Sequence, residues 1–465
     1  MTGPAVTDAI AAIATASGPA GVGVVRVSGP NAFAIADRVL GRREGRTASQ
    51  VGHTLRRATL RDPRTGETLD DGLVAVFHAP RSLTGENVIE WQGHGGPVTL
   101  GRALAAFLAA GARTARPGEF LERAFLNDKL DLSQAEAVAD QVSAQTVAAA
   151  RVARRQAEGA LSRAVNAAAG HVKEVLAHVE ASMDFPDEMG EPDAALLDAR
   201  LGDAAHIVAG LLDGAGFGRR LKDGLTVVLA GRPNAGKSSL LNALAGTERA
   251  IVTPVPGTTR DVVEEAVNLH GLPVRALDTA GLRDTNDPVE RIGIERARAA
   301  VRDADVIVAV LDALAGPCPN NDEVVLLGSL AGRAAVVAVN KADAADPAPL
   351  LAQAAALLPG TRAVAVSAVT GAGIAELARA VAESATGGKI AASDAVLVTS
   401  ARHHAALRDA GAALDAARGT LAAGLPAELV AVDAHGALRA LGEITGETAR
   451  EDIIAGIFAR FCLGK

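Results

Sequence analysis

The sequence predicts a multidomain protein with an α+β domain at the N-terminus and a discontinuous all-α helical domain, between whose halves an α/β domain is inserted. Three observations support this prediction, of which the first is a length of 465 residues, enough for two or three domains with separate cores. The apolar residues change from short runs to helical spacing near position 126. Strands and helices then alternate from 223 to 388, as in a parallel α/β sheet. The predicted domains are 1–125, 126–222, 223–388 and 389–465.

The first domain combines strands with a helix. Apolar runs bounded by turn residues predict strands at 23–29, 72–77 and 87–91. Residues 101–110 predict a helix that ends at Gly111. This mixture indicates the α+β class.

Helical periodicity marks the second and last domains. Ser133 and Glu136 have the spacing of a capping box, in which a Ser and a Glu three residues later close a helix start. Val172, Val175 and Val179 recur on one helical face. Near the end of the chain an apolar stripe recurs at similar spacing, formed by Ile453, Ile454, Ile457, Phe458 and Phe461.

Composition excludes several classes of protein. The formal net charge of −8 argues against a protein dominated by nonspecific nucleic-acid binding. Two cysteines cannot form a disulfide framework or a zinc cluster. No run approaches about 18 apolar residues, and the N-terminus lacks the basic region of a signal peptide. We therefore expect a cytoplasmic protein without a membrane segment.

The inserted domain begins with a phosphate-binding motif. Residues 231–239 read G-R-P-N-A-G-K-S-S, between an apolar strand at 225–230 and a helix from 240. This is the strand–GxxxxGK[ST]–helix context in which backbone N–H groups and a helix N-terminus bind phosphate. Lys237 is expected to reach the β- and γ-phosphates, and the Ser238 hydroxyl to bind Mg²⁺. The predicted contacts are Asn234, Ala235, Gly236, Lys237, Ser238 and Ser239.

Later motifs follow the ends of other strands. An Asp at such an end can hold Mg²⁺ through water, and a following Gly N–H can contact the γ-phosphate. This motif consists of Asp278, Thr279, Ala280 and Gly281. Between it and the first loop lies a segment whose threonines can ligate Mg²⁺ only when the γ-phosphate is present, as in a switch. Its predicted nucleotide contacts are Thr253, Pro254, Val255, Pro256, Gly257, Thr258 and Thr259.

Two further motifs select the base. The strand at 335–339 is followed by Asn340, Lys341, Ala342 and Asp343. The Asp343 carboxylate can accept from N1–H and N2–H₂ of guanine, and leaving it unpaired would disfavour ATP by about 10⁴-fold. The next strand leads into Ser367, Ala368 and Val369, where a backbone N–H can meet guanine O6. Four such motifs in this order predict a P-loop GTPase domain of the Ras-like class.

The catalytic group is left open by the motifs themselves. Leu282 follows Gly281, where Ras-like proteins carry the Gln that orients water. Another residue must do so, and the candidates are Glu290, Glu295, Asp284 and Asp287. The positive charge of the transition state could come from Arg275, Arg283 or a monovalent cation. Asn234 could give its carbonyl oxygen to such a cation or satisfy the loop backbone.

The full chain resembles the MnmE (TrmE) family of bacterial tRNA-modification GTPases. The matching stretches are T-G-E-N at 84–87, Q-G-H-G-G at 92–96, R-P-G-E-F at 116–120, R-A-F-L-N-D-K-L-D at 123–131, V-E-R-I-G-I-E at 289–295, G-E-I-T-G-E at 442–447 and F-C-L-G-K at 461–465. The chain departs from the family pattern at Leu463, where isoleucine is usual, and at Trp91, where an aliphatic residue is expected.

The resemblance implies an N-terminal domain that binds tetrahydrofolate and dimerises, and a homodimer that forms a heterotetramer with the FAD-dependent protein MnmG (GidA). Together they would add an aminomethyl or carboxymethylaminomethyl group to C5 of the wobble uridine (U34) of certain tRNAs. A 5-formyl- or methylene-tetrahydrofolate is the implied cofactor, with methylene-tetrahydrofolate as the one-carbon donor. GTP hydrolysis would depend on K⁺, Mg²⁺ and the approach of two GTPase domains.

The resemblance also implies roles for individual residues. The K⁺ ligands would be Asn234, Thr253, Val255 and Thr258, and the Mg²⁺ ligands Ser238 and Thr259. Glu290 would be the catalytic residue that orients the attacking water. Folate contacts would fall on Arg26, Glu90, Lys129 and Lys465. Cys462 could pack near this site or act as a thiolate.

Two rivals to this interpretation share some of its motifs. A ribosome-assembly GTPase of the Era/Der type should carry a KH-like segment or a second P-loop, and we find neither. A stand-alone folate-dependent aminomethyltransferase would need its own redox cofactor, and the sequence has no dinucleotide fingerprint. The sequence therefore favours the tRNA-modification GTPase.

Overall fold

The computed structural model describes residues 8–40, 52–247, 264–278, 302, 304–386, 396–461 and 463–464. Its contacts divide into two compact units, Met1–Ala139 with Gly442–Lys465, and Asp140–Leu441. The predicted fold class is confirmed, since an α+β part, a helical part and an α/β part are all present. The predicted domain boundaries at 125, 222 and 388 stay predictions.

The first unit is built on a six-stranded sheet with the order β3-β4-β5-β2-β1-β6. Neighbouring strands are antiparallel, except for the parallel pair β1 and β6. Its elements, with the helix that follows, are β1 (Ile10–Ile13), β2 (Ala20–Ser28), α1 (Ala32–Val39), β3 (Leu55–Arg61), β4 (Thr68–Phe77), β5 (Val88–Gly95), α2 (Pro97–Ala109), β6 (Arg113–Thr114), α3 (Glu119–Leu126) and α4 (Leu132–Ser143).

The core of this unit lies between the sheet and helices α1 and α2. It contains Val25 and Ile89 from the strands and Phe107 from α2. Trp91, where the resemblance leads us to expect an aliphatic residue, is fully buried in the same core. Because side chains alternate between the two faces of a strand, the neighbouring Glu90 side chain lies on the opposite face of β5.

The cap of helix α4 (Leu132–Ser143) lies two residues before the predicted one. Asp131 Oδ1 accepts the backbone N–H of Gln134 at 2.9 Å, and Gln134 Oε1 accepts the N–H of Asp131 at 3.0 Å. These reciprocal bonds make Asp131 and Gln134 the capping pair. The prediction from Ser133 and Glu136 was wrong because an equally suitable cap lies just upstream.

The second unit starts with helices and continues into the α/β part. Its elements are α5 (Val147–Ala157), α6 (Ala160–Asp184), α7 (Pro186–Met189), α8 (Ala194–Asp223), β7 (Leu225–Gly231), α9 (Lys237–Thr247), β8 (Glu264–Leu269), β9 (Leu272–Asp278), β10 (Val306–Asp312), a 3₁₀ turn (Ala313–Ala315), α10 (Asn321–Ser329), β11 (Ala335–Asn340), α11 (Ala348–Leu357), β12 (Arg362–Ala365), α12 (Ile374–Thr386), α13 (Ala401–Ala422) and α14 (Ala427–Thr445). Helix α15 (Glu451–Phe458) belongs to the first unit.

The second sheet has the order β12-β11-β10-β7-β9-β8. All neighbours are parallel except β8, which forms an antiparallel hairpin with β9. Strands β7, β10 and β11 are buried along almost their whole length, as expected for parallel strands covered on both faces. The carboxyl ends of parallel strands meet at one edge, where the predicted motifs follow.

The α/β part is joined to the helices around it by both packing and hydrogen bonds. Leu221 of α8 and Leu397 lie in one hydrophobic cluster with strands β7 and β10. Gln156 of α5 donates to the Leu397 carbonyl at 2.5 Å and accepts from the Thr399 hydroxyl at 3.2 Å. Lys222, just before β7, pairs with Asp140 at 2.8 Å. The segments just before and just after the α/β part are thus held by an ion pair and by side-chain hydrogen bonds, respectively.

Among the residues that the structure describes, none of the helices is both long enough and apolar enough to cross a membrane.

Candidate functional site

The β7–α9 loop is shaped by residues that tolerate a left-handed backbone. Asn234 has φ +66° and Gly236 φ +89°. A Cβ on Gly236 would lie 2.2 Å from the Asn340 amide nitrogen, and one on Gly231 would lie 2.3 Å from the Val310 carbonyl oxygen. Only glycine fits at these two positions, so the loop stays close to the sheet edge. Its N–H groups lead into the N-terminus of α9, which is the geometry of a phosphate site.

Lys237 is the first residue of α9 and points back across this loop. Its ammonium donates to the carbonyls of Gly231 at 3.0 Å and Arg232 at 2.9 Å. The residue is buried, with 6% exposed. The charge is therefore held over the concave side of the loop, where a phosphate would lie.

Asn340 joins the phosphate loop to the predicted base-binding motifs. It ends β11 and is only 2% exposed. Its Nδ2 donates to the Ala235 carbonyl at 2.9 Å, and its Oδ1 accepts from the Ala368 N–H at 3.2 Å. One side chain thereby fixes the loop after β7 and the loop after β12. Asp343 is exposed at the same edge.

The loop after β12 is ordered by its own hydrogen bonds. Ser367 is buried, and its hydroxyl accepts from the Thr370 N–H at 3.1 Å. Ala342 donates its N–H to the Val366 carbonyl at 3.1 Å, which ties the loop after β11 to the end of β12. The structure therefore brings together three of the predicted motifs, at 234–239, 340–343 and 367–369.

Several predicted site residues lie outside the described residues. They are Thr253, Pro254, Val255, Pro256, Gly257, Thr258, Thr259, Thr279, Ala280, Gly281, Glu290 and Lys465, together with the alternatives Arg283, Asp284, Asp287 and Glu295, and with Cys462. The backbone of Asp278 ends β9 opposite Leu229 of β7. Arg275, the other candidate for the transition-state charge, lies opposite Thr226. That is five residues, or about 16 Å of strand, before Gly231, so Arg275 is too far from the loop.

A second group of predicted residues lies on the first unit. Arg26 of β2 pairs with Glu90 of β5 at 2.7 Å, and each side chain is 19% exposed. Arg26 also donates to the Gly464 carbonyl at 2.9 Å, and its guanidinium carbon lies 5.5 Å from the centre of the Phe120 ring. The tail next to Lys465 is thus brought to Arg26 and Glu90. Lys129 donates instead to the Pro80 carbonyl at 3.0 Å.

Sequence reasoning missed a set of ionic side chains in this unit that surrounds the buried Arg123 and Glu119. We call it the charge network, and its members are Asp8, Glu86, Arg113, Glu119 and Arg123. Arg123, 2% exposed, pairs with Asp8 at 2.8 Å, Glu119 at 3.2 Å and Glu86 at 3.2 Å. Burial alone raises the pKa of Glu119, but hydrogen bonds from Arg113, the Arg116 N–H and Arg123 outweigh it and lower the pKa to about 2. Only the spacing of Glu119 and Arg123, one helical turn apart, could have signalled it.

Family models match most of the chain. A model described as the GTP-binding protein TrmE N-terminus matches residues 9–129, and one described as the MnmE helical domain matches residues 132–462. The second spans more than half of the chain.

Relatives match over nearly the full length. The chain is 44% identical to the tRNA modification GTPase MnmE of Geobacter metallireducens over 461 residues, covering 98% of this chain and 99% of that protein. It is 47% identical to the MnmE of Chloroflexus aurantiacus over 462 residues, covering 98% and 100%. Among solved structures, an Aquifex aeolicus Era variant bound to GDP and aluminium fluoride is 30% identical, covering 41% of this chain and 66% of Era with a TM-score of 0.29.

Proposed function

The chain belongs to the MnmE family of tRNA modification GTPases, and we propose that it hydrolyses GTP within a complex that modifies the wobble uridine (U34) of certain tRNAs. The observation that carries the nucleotide part is the double hydrogen bond of Asn340 to Ala235 and Ala368. These bonds link the loop after β7 with the loop after β12, which supports the proposal that both loops belong to one nucleotide site. The proposed specificity for guanine comes from the Asp343 carboxylate at that edge.

The residues of the loop have separate roles in this proposal. Backbone N–H groups of 234–239 and the ammonium of Lys237 bind the phosphates, whose negative charge they offset. Ser238 and Thr259 hold Mg²⁺, and Asn234 with Thr253, Val255 and Thr258 holds K⁺. These oxygen donors suit hard cations, and Asn234 is exposed on the loop with its backbone already in the left-handed region. When bound, the two cations supply positive charge to the transition state.

Glu290 is proposed to orient the attacking water through a second, bridging water. The side chain of Leu282 has no polar group and cannot orient water, so another residue must do so, and a carboxylate such as that of Glu290 can accept a proton from water. The position of Arg275, too far along β9 to reach the phosphates, supports a cation rather than this arginine as the source of positive charge.

The first unit is proposed to bind a 5-formyl- or methylene-tetrahydrofolate and to form the homodimer. A carboxylate such as Glu90 can accept from the amino-pyrimidine edge of a pteridine, and the cations Arg26, Lys129 and Lys465 can meet its glutamate tail. Arg26 and Glu90 are paired and only partly exposed, so both charges are held in place before a ligand arrives. The cofactor supplies a one-carbon unit when bound.

The proposed partners are tRNA and the FAD-dependent MnmG in a heterotetramer, and the proposed location is the cytoplasm. The Era/Der alternative is not favoured, because the relatives match 98% of the chain and the two family models extend well outside the α/β part.

The function is tested by mass spectrometry of wobble uridines in tRNA from a strain that lacks this protein. We expect unmodified uridine, and restoration by the intact gene. Normal nucleosides accompanied by defective ribosomal subunits would contradict the proposal and support the rival.

The nucleotide site is tested with the purified protein. Asp343→Asn should weaken GTP binding by about 10⁴-fold while xanthosine triphosphate binding rises, because the amide no longer accepts both guanine donors. GTP hydrolysis should collapse when Na⁺ replaces K⁺, and likewise in Asn234→Ala. Equal rates in the two salts would remove K⁺ from the site.

A further inference from the structure

One acidic residue beside the predicted guanine site has no role in the motifs. Asp312 is the last residue of β10, and the strand register places it opposite Asn340, the last residue of β11. The two strands are parallel, so their ends lie at the same edge of the sheet. Asp312 is therefore a direct neighbour of the loop that carries Lys341 and Asp343.

The two carboxylate oxygens of Asp312 have different partners. Oδ2 lies 2.6 Å from the ammonium of Lys341. Oδ1 accepts the N–H of Leu314 at 3.0 Å and closes the 3₁₀ turn after β10. The Asp312 and Lys341 side chains are 17% and 30% exposed, so the pair lies at the rim of the site rather than in bulk solvent.

The backbone of Lys341 is also held in place. Its φ is +64°, which is uncommon for a residue with a Cβ. Its neighbour Asn340 is fixed by hydrogen bonds on both sides. With the main chain and the ammonium both held, the methylene stem of Lys341 is left with few conformations.

We propose that Asp312 is a positioning residue of the guanine site: by holding the ammonium of Lys341, it keeps the apolar stem of this lysine against the face of the base. A free lysine side chain loses much rotamer freedom when it is ordered. Asp312 removes that freedom before the nucleotide arrives, so binding costs less entropy. The stem offers an apolar surface to the base while the charge stays at the rim.

This inference rests on the proposed binding of guanine by 340–343, and it makes a prediction of unusual sign. Removing the negative charge of Asp312 near a phosphate site should favour an anionic ligand by simple electrostatics. Loss of the positioning effect predicts the reverse, weaker nucleotide binding. The sign of the change therefore separates the two effects.

The test uses Asp312→Asn in the full-length protein. The amide oxygen can still accept from Leu314, so the turn is kept while the ionic bond to Lys341 is lost. We expect the Kd values of GDP, GTP and ITP each to rise about tenfold, with kcat at saturating GTP unchanged. ITP lacks the 2-amino group that Asp343 is proposed to recognise. If Asp312 acts only by positioning Lys341, the ratio of the Kd values of GTP and ITP should be the same in Asp312→Asn as in the wild type.

The matched control is Glu383→Gln. Glu383 pairs with Arg362 at 2.6 Å in the same α/β part, at the end of β12 that is opposite to Ser367. Its loss should leave all three Kd values unchanged. A second measurement places Asp312→Asn on a Lys341→Met background, where it should cost no further affinity because its partner is gone.

Unchanged or tighter nucleotide binding in Asp312→Asn would overturn the inference, as would an equal loss on both backgrounds. A lower unfolding midpoint with unchanged Kd would assign Asp312 to stability alone and overturn it too. A wild-type protein that binds ATP as tightly as GTP would overturn the proposed function together with this inference.

Discussion

The proposed nucleotide site of the second unit and the charge network of the first both bring together polar groups from distant parts of the chain, but the groups are of different kinds. In the charge network every arginine has a carboxylate partner, and Glu119 and Arg123 are almost fully buried. In the nucleotide site the backbone forms the cradle, and the buried Asn340 is a neutral side chain that binds two loops.

Because of this difference, the charge network should contribute mainly to the stability of the fold and the proposed nucleotide site mainly to ligand binding. The buried charges of Arg123 and Glu119 are compensated by ion pairs within the network, and these pairs are costly to break because the remaining charge stays buried. A cradle of N–H groups is completed by a ligand, so damage to it should be measured as lost affinity. Variants in the two regions should therefore affect different observables.

The largest effect is expected from Glu119→Gln in the charge network. The change leaves the buried Arg123 with less compensation and should lower the free energy of unfolding by about 3–5 kcal/mol. Urea unfolding followed by the fluorescence of Trp91, the single tryptophan and a core residue of this unit, measures it. Glu122→Gln, whose side chain pairs with the exposed Arg116, is the control and should cost less than about 1 kcal/mol. Equal losses of unfolding free energy in Glu119→Gln and Glu122→Gln would contradict a special role of the charge network in stability.

The contribution of Glu119 to the free energy of unfolding should depend on pH. The pKa of Glu119 is about 2 in the folded protein against a usual value of 4.5. Because the folded value is the lower one, its stabilisation is complete above about pH 4.5 and is lost as the pH falls toward 2. The shift corresponds to about 3 kcal/mol. The difference in unfolding free energy between wild type and Glu119→Gln should shrink over this range, and a constant difference would contradict the assignment.

Asn340→Ala should weaken nucleotide binding and leave the unfolding of the first unit unchanged. It removes both bonds that join the loops and leaves the Ala235 carbonyl and Ala368 N–H without this partner, which should cost about 2–3 kcal/mol or about 10²-fold in the Kd of GDP. The Trp91 unfolding transition should not move. Asn268→Ala is the control, since Asn268 accepts the Gly271 N–H in the β8–β9 hairpin of the same sheet. Unchanged GDP affinity in Asn340→Ala would show that nucleotide binding does not depend on the link that Asn340 makes between the two loops.

The smallest effect is expected at the proposed folate site. Gly464 has φ +92°, and a Cβ there would lie 2.3 Å from the Ile13 carbonyl oxygen. Gly464→Ala should displace the tail from Arg26 and weaken 5-formyl-tetrahydrofolate binding about tenfold, with GTP binding unchanged. Gly424→Ala has a similar backbone strain, at φ +63°, but nothing near its Cβ. A loss of folate affinity in both variants would exclude a specific role for Gly464.

The two regions also differ in how far the sequence predicts them. The phosphate loop was predictable because its chemistry resides in consecutive residues between a strand and a helix. The predicted base-binding motifs lie after the ends of β11 and β12, and the sequence indicated these positions because each motif follows an apolar run; their role in binding the base stays a prediction. The charge network was not, because Asp8 and Arg123 are 115 residues apart and no local pattern signals their contact.

Smaller misses have a similar physical origin. The cap of α4 depended on a choice between Asp131 and Ser133 that only the hydrogen bonds reveal. Arg275 was a candidate until the strand register placed it opposite Thr226. The pair of Asp312 and Lys341 joins two strand ends that are neighbours in the sheet and 29 residues apart in the chain.

The hydrophobic cluster beneath β7 has a practical consequence for anyone who wishes to study the GTPase part alone. Ala149, Leu221 and Leu397 lie in the same cluster as Leu229 and Leu377, yet all three fall outside 223–388. A fragment cut at those limits would expose apolar surface that the intact chain covers, and it would lose the bonds of Gln156 to the exit segment. Fragments that retain α5, the end of α8 and the segment through Thr399 should be the ones that stay monodisperse.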